Sequence, residues 1–305
     1  RYLIFFVLIT YGILLIGCQN PKYNNHTEVS AILGASEFLV GNNRVPFGLV
    51  KNNGETLTNP SMVELMLYKI EPNGNDIYKG KTEAIFTEIT GSTPHKHEDG
   101  HIHLHTETKG IYIASTVYFD EVGIWEIRIN TNQGKDNNSR LASMALNVIP
   151  KSKTIEINDL IPKSINTTSQ DIENLSEITT HTPPIPEFYK ITVAQALNEQ
   201  KPIVVAFATP GFCNSQMCGP VTDVVAQTYT SFKDTVNFIH IEPWDLNIAR
   251  NTGRLQPSDV SLEWNIPSEP WVFVVNSSGQ VTKRFEGLFS KTELSNALEE
   301  VLSSK

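Results

Sequence analysis

The spacing of hydrophobic positions divides the chain into three stretches. Residues 2–17 form one uncharged apolar run, YLIFFVLITYGILLIG. Between residues 31 and 150, short segments such as Ile111–Phe119 alternate apolar and polar residues, with turn signals between them. From residue 187 onward, continuous apolar runs such as Pro202–Ala208 alternate with helical spacing. The pattern predicts an apolar leader, a β-rich region and an α/β region.

The β-rich region is predicted to contain about seven short strands and no helix. Strands of this length, separated by turns, favour an antiparallel sandwich of immunoglobulin-like type. The stretch GIYIASTVYFDEVGIWEIRI also resembles the strand pair that ends many extracytoplasmic modules of that type. The predicted strands are Glu37–Val40, Pro46–Val50, Met62–Ile70, Ala84–Thr90, Ile111–Phe119, Ile124–Asn130 and Leu141–Val148.

The α/β region opens with a continuous apolar run, which is typical of a strand buried on both faces. A helix is predicted to follow and to extend to about Phe232. The pattern then predicts a further strand, a hairpin around an Asn-Ser-Ser-Gly turn, and a closing helix with leucines at every fourth position. The segments concerned are Val236–Ile241, Trp271–Val275, Gln280–Phe285 and the helix carrying Leu294, Leu298 and Leu302.

Four segments of this region occur in a specific order. PIVVAFATPGFC is a strand that leads into a cysteine, and GPVTDVVAQTY continues as a helix with an early proline. Pro270 lies directly before the next strand, and FEGLFSKTELSNALEEVL forms the last strand and helix. In this order the region resembles the thioredoxin family over most of residues 187–305. The resemblance implies an α/β thioredoxin-like fold with a cis-proline at Pro270 facing the cysteines.

The cysteine spacing differs from the family's usual Cys-x-x-Cys motif, because four residues separate Cys213 from Cys218. In one regular helix, residues five apart have Cα atoms roughly 8–9 Å apart. A disulfide needs Cα atoms within about 7 Å. A bridge therefore requires Cys213 in the loop and Cys218 near the first helical turn. Gly211 permits such a loop, and Asn214 or Ser215 is expected to cap the helix.

The two cysteines and the proline are the candidate catalytic residues. At a helix N-terminus Cys213 is stabilised as a thiolate, which makes it the expected nucleophile. Cys218 is then the resolving thiol, and a cis-Pro270 leaves the preceding carbonyl able to pair with an extended peptide. A structural disulfide and metal binding by the thiols remain open. A bridge that closes six residues adds little chain-entropy stabilisation, which weakens the structural alternative.

A second group of candidate residues is a histidine cluster, HKHEDGHIHLH. Five of the 8 histidines fall within residues 95–105. Alternate residues of a strand share one face, so a hairpin at Asp99-Gly100 would bring the two halves together. Imidazole clusters suit Zn²⁺, Cu²⁺ or Ni²⁺. The alternatives are a copper or zinc site and a solvated loop of weak affinity. The candidate ligands are His95, His97, His101, His103 and His105.

The apolar leader ends in Leu15-Ile16-Gly17-Cys18, which resembles the bacterial lipobox. The run is short for a membrane-spanning helix and suits a secretory signal. The resemblance implies lipidation of Cys18 and a lipid-anchored, extracytoplasmic position in a bacterial cell envelope. A plain signal anchor is the alternative. Within an oxidising compartment, Cys213 and Cys218 would be the two remaining thiols.

Composition narrows the functional classes. The 305 residues carry a net charge of −9 without a block of Lys or Arg, so no nucleic-acid partner is expected. Three cysteines exclude a disulfide-rich scaffold.

His240 lies in the second predicted strand of the α/β region and is expected to be structural. The predicted organisation is a signal and lipobox at 1–18, a tether at 19–30, a β-sandwich at 31–150, a linker at 151–186 and a thioredoxin-like domain at 187–305.

Three functions are consistent with these features. The first is a thiol–disulfide oxidoreductase that acts on thiols or disulfides of envelope proteins and requires no cofactor. The second is a metal-binding or copper-handling lipoprotein that uses the histidine cluster, the thiols or both. The third is a binding module in which the thioredoxin fold is only a scaffold.

Overall fold

The computed structural model describes residues 29–96, 102–131 and 141–304, whose strands form one sheet of eight strands and one of four. Within these ranges no helix is both long and apolar enough to cross a membrane. The predictions for residues 1–18, including Cys18, lie outside the described residues.

The first sheet contains strands β1 to β8 in the spatial order β1-β3-β6-β5-β4-β7-β8-β2. Neighbouring strands are antiparallel except β2 and β8, which are parallel. In β4, Val63, Leu65 and Leu67 are buried while the residues between them are not, as the alternating pattern predicts. The strands are β1 Val29–Leu33, β2 Phe38–Leu39, β3 Gly41–Lys51, β4 Met62–Ile70, β5 Asp76–Lys96, β6 Ile102–Phe119, β7 Gly123–Asn130 and β8 Leu141–Ile149.

The predicted immunoglobulin-like sandwich of two packed sheets is not confirmed. The strands form one continuous ladder, in which β6 pairs with both β3 and β5, and β5 pairs with β4. Val29 at one end of the strand order and Val148 near the other belong to the same core, so the sheet curls around it. Alternation along a strand specifies its buried face, but it does not specify whether the hydrogen-bonded ladder is interrupted between strands.

The predicted linker 151–186 runs along the second sheet. The Thr154 hydroxyl donates to the Trp264 carbonyl at 2.8 Å, and the Asn158 amide donates to the Val281 carbonyl at 2.8 Å. Its second half includes a 3₁₀ helix at Leu175–Glu177, and another 3₁₀ helix at Pro186–Tyr189 follows it. Through these contacts the segment packs on the α/β region as part of it.

The second sheet has the order β10-β9-β11-β12, with β9 and β10 parallel and the other pairs antiparallel. All five residues of β9 are buried because Val204 and Ala206 face one hydrophobic core and Ile203, Val205 and Phe207 face another. The elements are α1 Val193–Asn198, β9 Ile203–Phe207, α2 Cys218–Phe232, β10 Asn237–Ile241, α3 Leu246–Thr252, α4 Asp259–Glu263, β11 Trp271–Val275, β12 Val281–Glu286 and α5 Lys291–Ser303.

The order and direction of these strands, with α2 following β9 and α5 following β12, agree with the thioredoxin-like fold expected for this region. Leu294 and Leu298 of α5 are buried against the sheet, as their spacing predicts. The face of the sheet covered by α2 and α5 has a core of aliphatic and aromatic side chains. Cys213 lies in the loop between β9 and α2, and Cys218 is the first residue of α2.

The two sheets contact each other through charged and apolar groups. Arg44 of β3 pairs with Glu293 of α5 at 2.6 Å. Arg284 of β12 pairs with Glu37 at 3.0 Å, and both side chains are largely buried. Ile89 of β5 belongs to the same hydrophobic core as α2 and α5. The β-rich region is therefore in direct contact with the helices and the edge strand of the α/β region.

Candidate functional site

The two cysteines lie where the geometric argument requires them. Cys213 is half-buried in the loop after β9, and Cys218 is the first residue of α2 and fully buried. Both are free thiols, and their sulfurs lie within 4.8 Å of each other. Cys213 is thus partly exposed to solvent, whereas Cys218 is not.

The expected cap by Asn214 or Ser215 is wrong. The N-cap of α2 is Met217, which makes no side-chain capping hydrogen bond. Asn214 and Ser215 belong to a turn closed by the Gln216 amide and the Cys213 carbonyl at 3.3 Å. They precede the helix by too many residues to reach its first free amides. The Ser215 hydroxyl instead contacts the Cys213 sulfur at 3.1 Å.

The two thiols differ in their tendency to ionise. Hydrogen bonding from the Cys218 thiol lowers the pKa of Cys213 to about 5, and Ser215 and backbone amides act in the same direction. Burial raises the pKa of Cys218 far above its usual value. Cys213 therefore carries the negative charge at neutral pH, and Cys218 remains protonated.

Glu269 is a third member of the site that the sequence analysis did not identify. One of its carboxylate oxygens lies within 4.8 Å of both sulfurs. Burial, together with the negative charge of Cys213, raises the pKa of Glu269 to about 7. Its position directly before Pro270 was the available signal, because the family resemblance places that proline opposite the cysteines.

Pro270 follows a cis peptide bond, as the resemblance implies. Its carbonyl accepts a hydrogen bond from the Gly287 amide at 3.0 Å. Two residues earlier, the Ser268 hydroxyl donates to Glu286 at 3.0 Å. The segment that carries Glu269 is thus tied to the end of β12 on both sides.

The loop that carries Cys213 is held by the linker segment. The Gly211 amide donates to the Thr180 hydroxyl at 2.8 Å, and that hydroxyl donates to Glu242 at 2.7 Å. The Thr180 amide donates to the same Glu242 oxygen at 2.6 Å. A Cβ at Gly211 would lie 2.7 Å from the Thr180 Cβ, so the close approach requires glycine. Burial raises the pKa of Glu242 to about 6.

His240 fits the structural role expected for it. Its Nδ1 lies 2.6 Å from the Tyr189 hydroxyl, and its Nε2 lies 2.9 Å from the Ala208 carbonyl oxygen. Burial lowers the pKa of His240 to about 3, so the ring is neutral. Both ring nitrogens are occupied by neighbours of the protein.

The histidine cluster is described in part. Strands β5 and β6 form the expected hairpin, in which the Cα atoms of His95 and His103 are directly paired and His105 pairs with Thr93. His97 and His101 lie outside the described residues. The backbone therefore brings His95 and His103 to one level of the sheet, on adjacent strands.

Comparisons with known proteins give structural neighbours but no sequence family. No family model matches the sequence, and no curated protein matches it significantly. Among 13 similar solved chains is a thioredoxin-family thiol:disulfide interchange protein from Chlorobium tepidum TLS, at 19% identity and a TM-score of 0.27. That alignment covers 37% of this chain and 86% of the neighbour.

A second neighbour is a proposed protein disulfide isomerase from Bacteroides thetaiotaomicron, known from a solution structure. It is 15% identical, with a TM-score of 0.33, and the alignment covers 49% of this chain and 92% of the neighbour. Both neighbours are described as thiol–disulfide proteins, and in both cases the similarity extends over part of this chain.

Proposed function

We propose that the protein is a thiol–disulfide oxidoreductase that uses Cys213 and Cys218. The observation that carries this proposal is the geometry of two free thiols with sulfurs within 4.8 Å, one half-buried in a loop and one fully buried at the start of a helix. A purely structural bridge has no need for an accessible member. Accessible and buried thiols in contact are what sequential exchange requires.

The reaction follows from the different exposure of the two sulfurs. Cys213 attacks one sulfur of a substrate disulfide and breaks that bond, so the other substrate sulfur leaves as a thiolate. Cys218 then attacks the Cys213 sulfur of the mixed disulfide, and its proton passes to the departing substrate thiolate. The internal disulfide forms, and two electrons have moved from the protein dithiol to the substrate. The reverse sequence oxidises a substrate dithiol.

The first test is the reduction potential of the cysteine pair. Equilibration of the full chain in glutathione buffers, read by thiol trapping and mass spectrometry, should give a value between about −120 and −270 mV. A value below about −300 mV would identify a structural bond and contradict the proposal.

A trapping experiment tests the two roles separately. Cys218→Ser should accumulate mixed disulfides with substrate proteins, since the resolving thiol is missing. Cys213→Ser should accumulate none, because the accessible nucleophile is gone. Equal trapping by both variants would contradict the assignment of Cys213 as nucleophile.

We also propose that the protein acts at the outer face of a membrane of the bacterial cell envelope, anchored by lipid at Cys18. The support is the apolar run followed by Leu15-Ile16-Gly17-Cys18. Stable anchoring requires more than one acyl chain, which a lipidated N-terminal cysteine supplies. Metabolic labelling with a radioactive fatty acid should label the wild type and not Cys18→Ser. Labelling of both would contradict the anchor.

A second candidate function is metal binding by the histidine cluster. The pairing of His95 with His103 across the hairpin favours it, because copper or zinc needs several imidazoles close together. Replacing His101, His103 and His105 together should abolish stoichiometric copper or zinc binding by the oxidised protein, in which the two thiols are not available as ligands, measured by calorimetry, and should leave thiol exchange intact. Unchanged binding would exclude the cluster as the site.

A further inference from the structure

Cys213, Cys218 and Glu269 place three potential metal ligands together. The two sulfurs and one carboxylate oxygen all lie within 4.8 Å of one another. The three residues come from different segments: the loop after β9, the first turn of α2 and the residue before β11. This group contains none of the histidines of the cluster.

The distances between the two sulfurs and the carboxylate oxygen are close to those in a metal site, so the three side chains need to move only slightly to bind an ion. Zinc binds sulfur at about 2.3 Å and carboxylate oxygen at about 2.0–2.2 Å, usually with tetrahedral geometry. Two sulfurs on such an ion are therefore about 3.8 Å apart. The ligand atoms already lie within 4.8 Å, so a shift on the order of 1 Å brings them to bonding positions.

The backbone positions of the ligands are fixed by contacts outside the group. Cys218 is anchored in α2, where the Thr222 hydroxyl donates to its carbonyl at 2.9 Å. Glu269 lies between two tethers to the end of β12, one from Ser268 and one through the Pro270 carbonyl. Cys213 and Glu269 are half-buried, so an ion can reach the group from solvent.

We propose that the reduced protein binds one Zn²⁺ through Cys213, Cys218 and Glu269, with the fourth position open to water or a partner's ligand. Two thiolates favour a thiophilic ion, and the carboxylate favours Zn²⁺ over Cu⁺, which prefers sulfur. Three protein ligands with an open fourth position are also characteristic of accessible rather than purely structural zinc sites. This binding goes beyond the exchange reaction proposed above.

Metal binding and disulfide formation exclude each other at this site. Zn²⁺ binds both sulfurs as thiolates, so the one thiol proton that the pair holds at neutral pH is released to solvent when the ion binds. If a substrate disulfide later oxidises the pair, the internal disulfide forms, two protons convert the substrate to two thiols, and Zn²⁺ is released. The site therefore holds zinc in a redox-dependent manner.

The test uses Cd²⁺, whose thiolate complexes absorb in the ultraviolet, as a probe that reports sulfur ligands and is silent for histidine. The reduced full chain in detergent is titrated with Cd²⁺, and Zn²⁺ is then added to displace it. We expect thiolate absorption that saturates at one equivalent in the wild type, and none after oxidation of the pair. Cys213→Ser, a half-buried position that the fold tolerates better than Cys218, should lose at least half of the absorption.

Glu269→Gln decides the third ligand, and Glu299→Gln on the exposed face of α5 is the matched control. Loss of one direct ligand should weaken Zn²⁺ competition by about 100-fold, at least as much as loss of an outer-shell partner does. The control should match the wild type. Circular dichroism of each variant establishes that it is folded.

Three results would overturn the proposal: no thiolate absorption in the reduced wild type, full absorption in Cys213→Ser, or equal zinc affinity in Glu269→Gln and the control. Thiol exchange is measured separately in chelator-treated protein. An inactive dithiol that binds zinc would contradict the oxidoreductase and leave this site intact, whereas an active dithiol without thiolate absorption would do the opposite.

Discussion

The two sheets of this protein use hydrophobic residues in different ways. Strand β4 of the eight-stranded sheet alternates buried and less buried residues, whereas every residue of β9 and β11 in the four-stranded sheet is buried. The first pattern is that of a sheet with one buried face, and the second that of a sheet covered on both faces. This difference determines where each sheet can carry buried polar side chains.

In the four-stranded sheet, polar groups occur where the buried strands end. Thr209 follows β9, Glu242 follows β10, and Glu269 precedes β11. Thr209 and Glu242 are buried. In the eight-stranded sheet and its adjoining turns, the buried polar residues among those whose burial is described are Lys69 and Thr131. In the α/β region burial therefore raises the pKa values of Glu242 and Glu269 toward neutral pH, whereas in the eight-stranded sheet it raises the pKa of the Tyr112 hydroxyl to about 12.

The largest effect should come from removing an aromatic core residue of either sheet. Trp264 contacts Phe207 and Phe273, with ring centroids 5.1 Å apart in both cases. Trp264→Ala should lower the free energy of unfolding by about 3–5 kcal/mol, because it leaves a large cavity. Urea denaturation measures the loss, and the alkylation rate of Cys218 in native buffer should rise.

Trp125→Ala is the counterpart in the eight-stranded sheet, where Trp125 packs on Phe119 at 4.9 Å. The loss of stability should be similar, but the alkylation rate of Cys218 should stay near that of the wild type. Equal exposure of Cys218 in both variants would show that the sheets open as one unit and would remove the contrast.

The buried ion pair between the sheets should have the next largest effect. The side chains of Arg284 and Glu37 are 14% and 4% exposed, and Glu37 also accepts from the Ser152 hydroxyl at 2.6 Å. Glu37→Gln should cost about 2–4 kcal/mol, since it leaves a buried guanidinium without its counter-charge. The measurement is again urea denaturation.

Glu64→Gln is the control for that substitution. Glu64 pairs with Lys81 at 2.7 Å, but the two side chains are 41% and 63% exposed. An exposed pair contributes at most about 1 kcal/mol. If Glu37→Gln and Glu64→Gln lower the free energy of unfolding equally, the Arg284–Glu37 pair is exposed to water in solution and the expected contrast is wrong.

A pair of glycines isolates the backbone contact between the sheets. Gly287 and Gly253 have nearly the same left-handed φ, +69° and +70°. A Cβ at Gly287 would collide with the Gly34 carbonyl oxygen, whereas a Cβ at Gly253 would contact nothing within 4 Å. Gly253→Ala should cost about 1 kcal/mol through conformation alone.

Gly287→Ala should cost about 2 kcal/mol more than Gly253→Ala, because Gly34 and the strand around it must also move. Denaturation curves of the two variants give the difference directly. If the two losses are the same, the segment around Gly34 does not press on the α/β region in solution.

The pH dependence of stability should show the buried carboxyl of Glu242. Its pKa is raised to about 6 in the folded state, so the native protein binds the proton more tightly than the unfolded chain does. Its contribution to stability is thus present below the unfolded pKa and falls as pH rises from about 4.5 to 6. The pKa of His240 is lowered in the folded state, so its contribution lowers the stability of the protein as pH falls below the unfolded pKa of histidine.

The difference in unfolding free energy between Glu242→Gln and the wild type isolates the effect of the carboxyl, because His240 is present in both proteins. Glutamine also keeps an oxygen that can accept the two hydrogen bonds from Thr180. The variant should gain about 1–2 kcal/mol relative to wild type between pH 4.5 and 7. A difference that does not change with pH would contradict the raised pKa.

The smallest effect should come from Ser215→Ala. The hydroxyl lies 3.1 Å from the Cys213 sulfur and contributes to its low pKa. Its loss should move the midpoint of the pH profile for iodoacetamide alkylation upward from about 5, by roughly half a unit. Chelator-treated protein is used, and Asn214→Ala serves as control because it should leave the midpoint unchanged.

Much of the α/β region could be predicted from the sequence. Strands buried on both faces read as continuous apolar runs, so β9 was predicted within a residue of its bounds. The spacing of Leu294, Leu298 and Leu302 predicted a closing helix, and all three leucines lie in α5. The placement of Cys213 in a loop and Cys218 at the helix start followed from the limited reach of a disulfide. These features depend on local geometry, which the sequence specifies.

What the sequence did not determine depends on contacts between distant segments. Alternation predicted the faces of the first sheet, but only long-range pairing decided that its strands form one curled ladder. Glu269 is 56 residues from Cys213 along the chain, and it reaches the thiols because β11, which follows it, pairs with β9, which precedes Cys213. Local pattern sets which residues are buried, and the tertiary fold alone sets which buried groups meet.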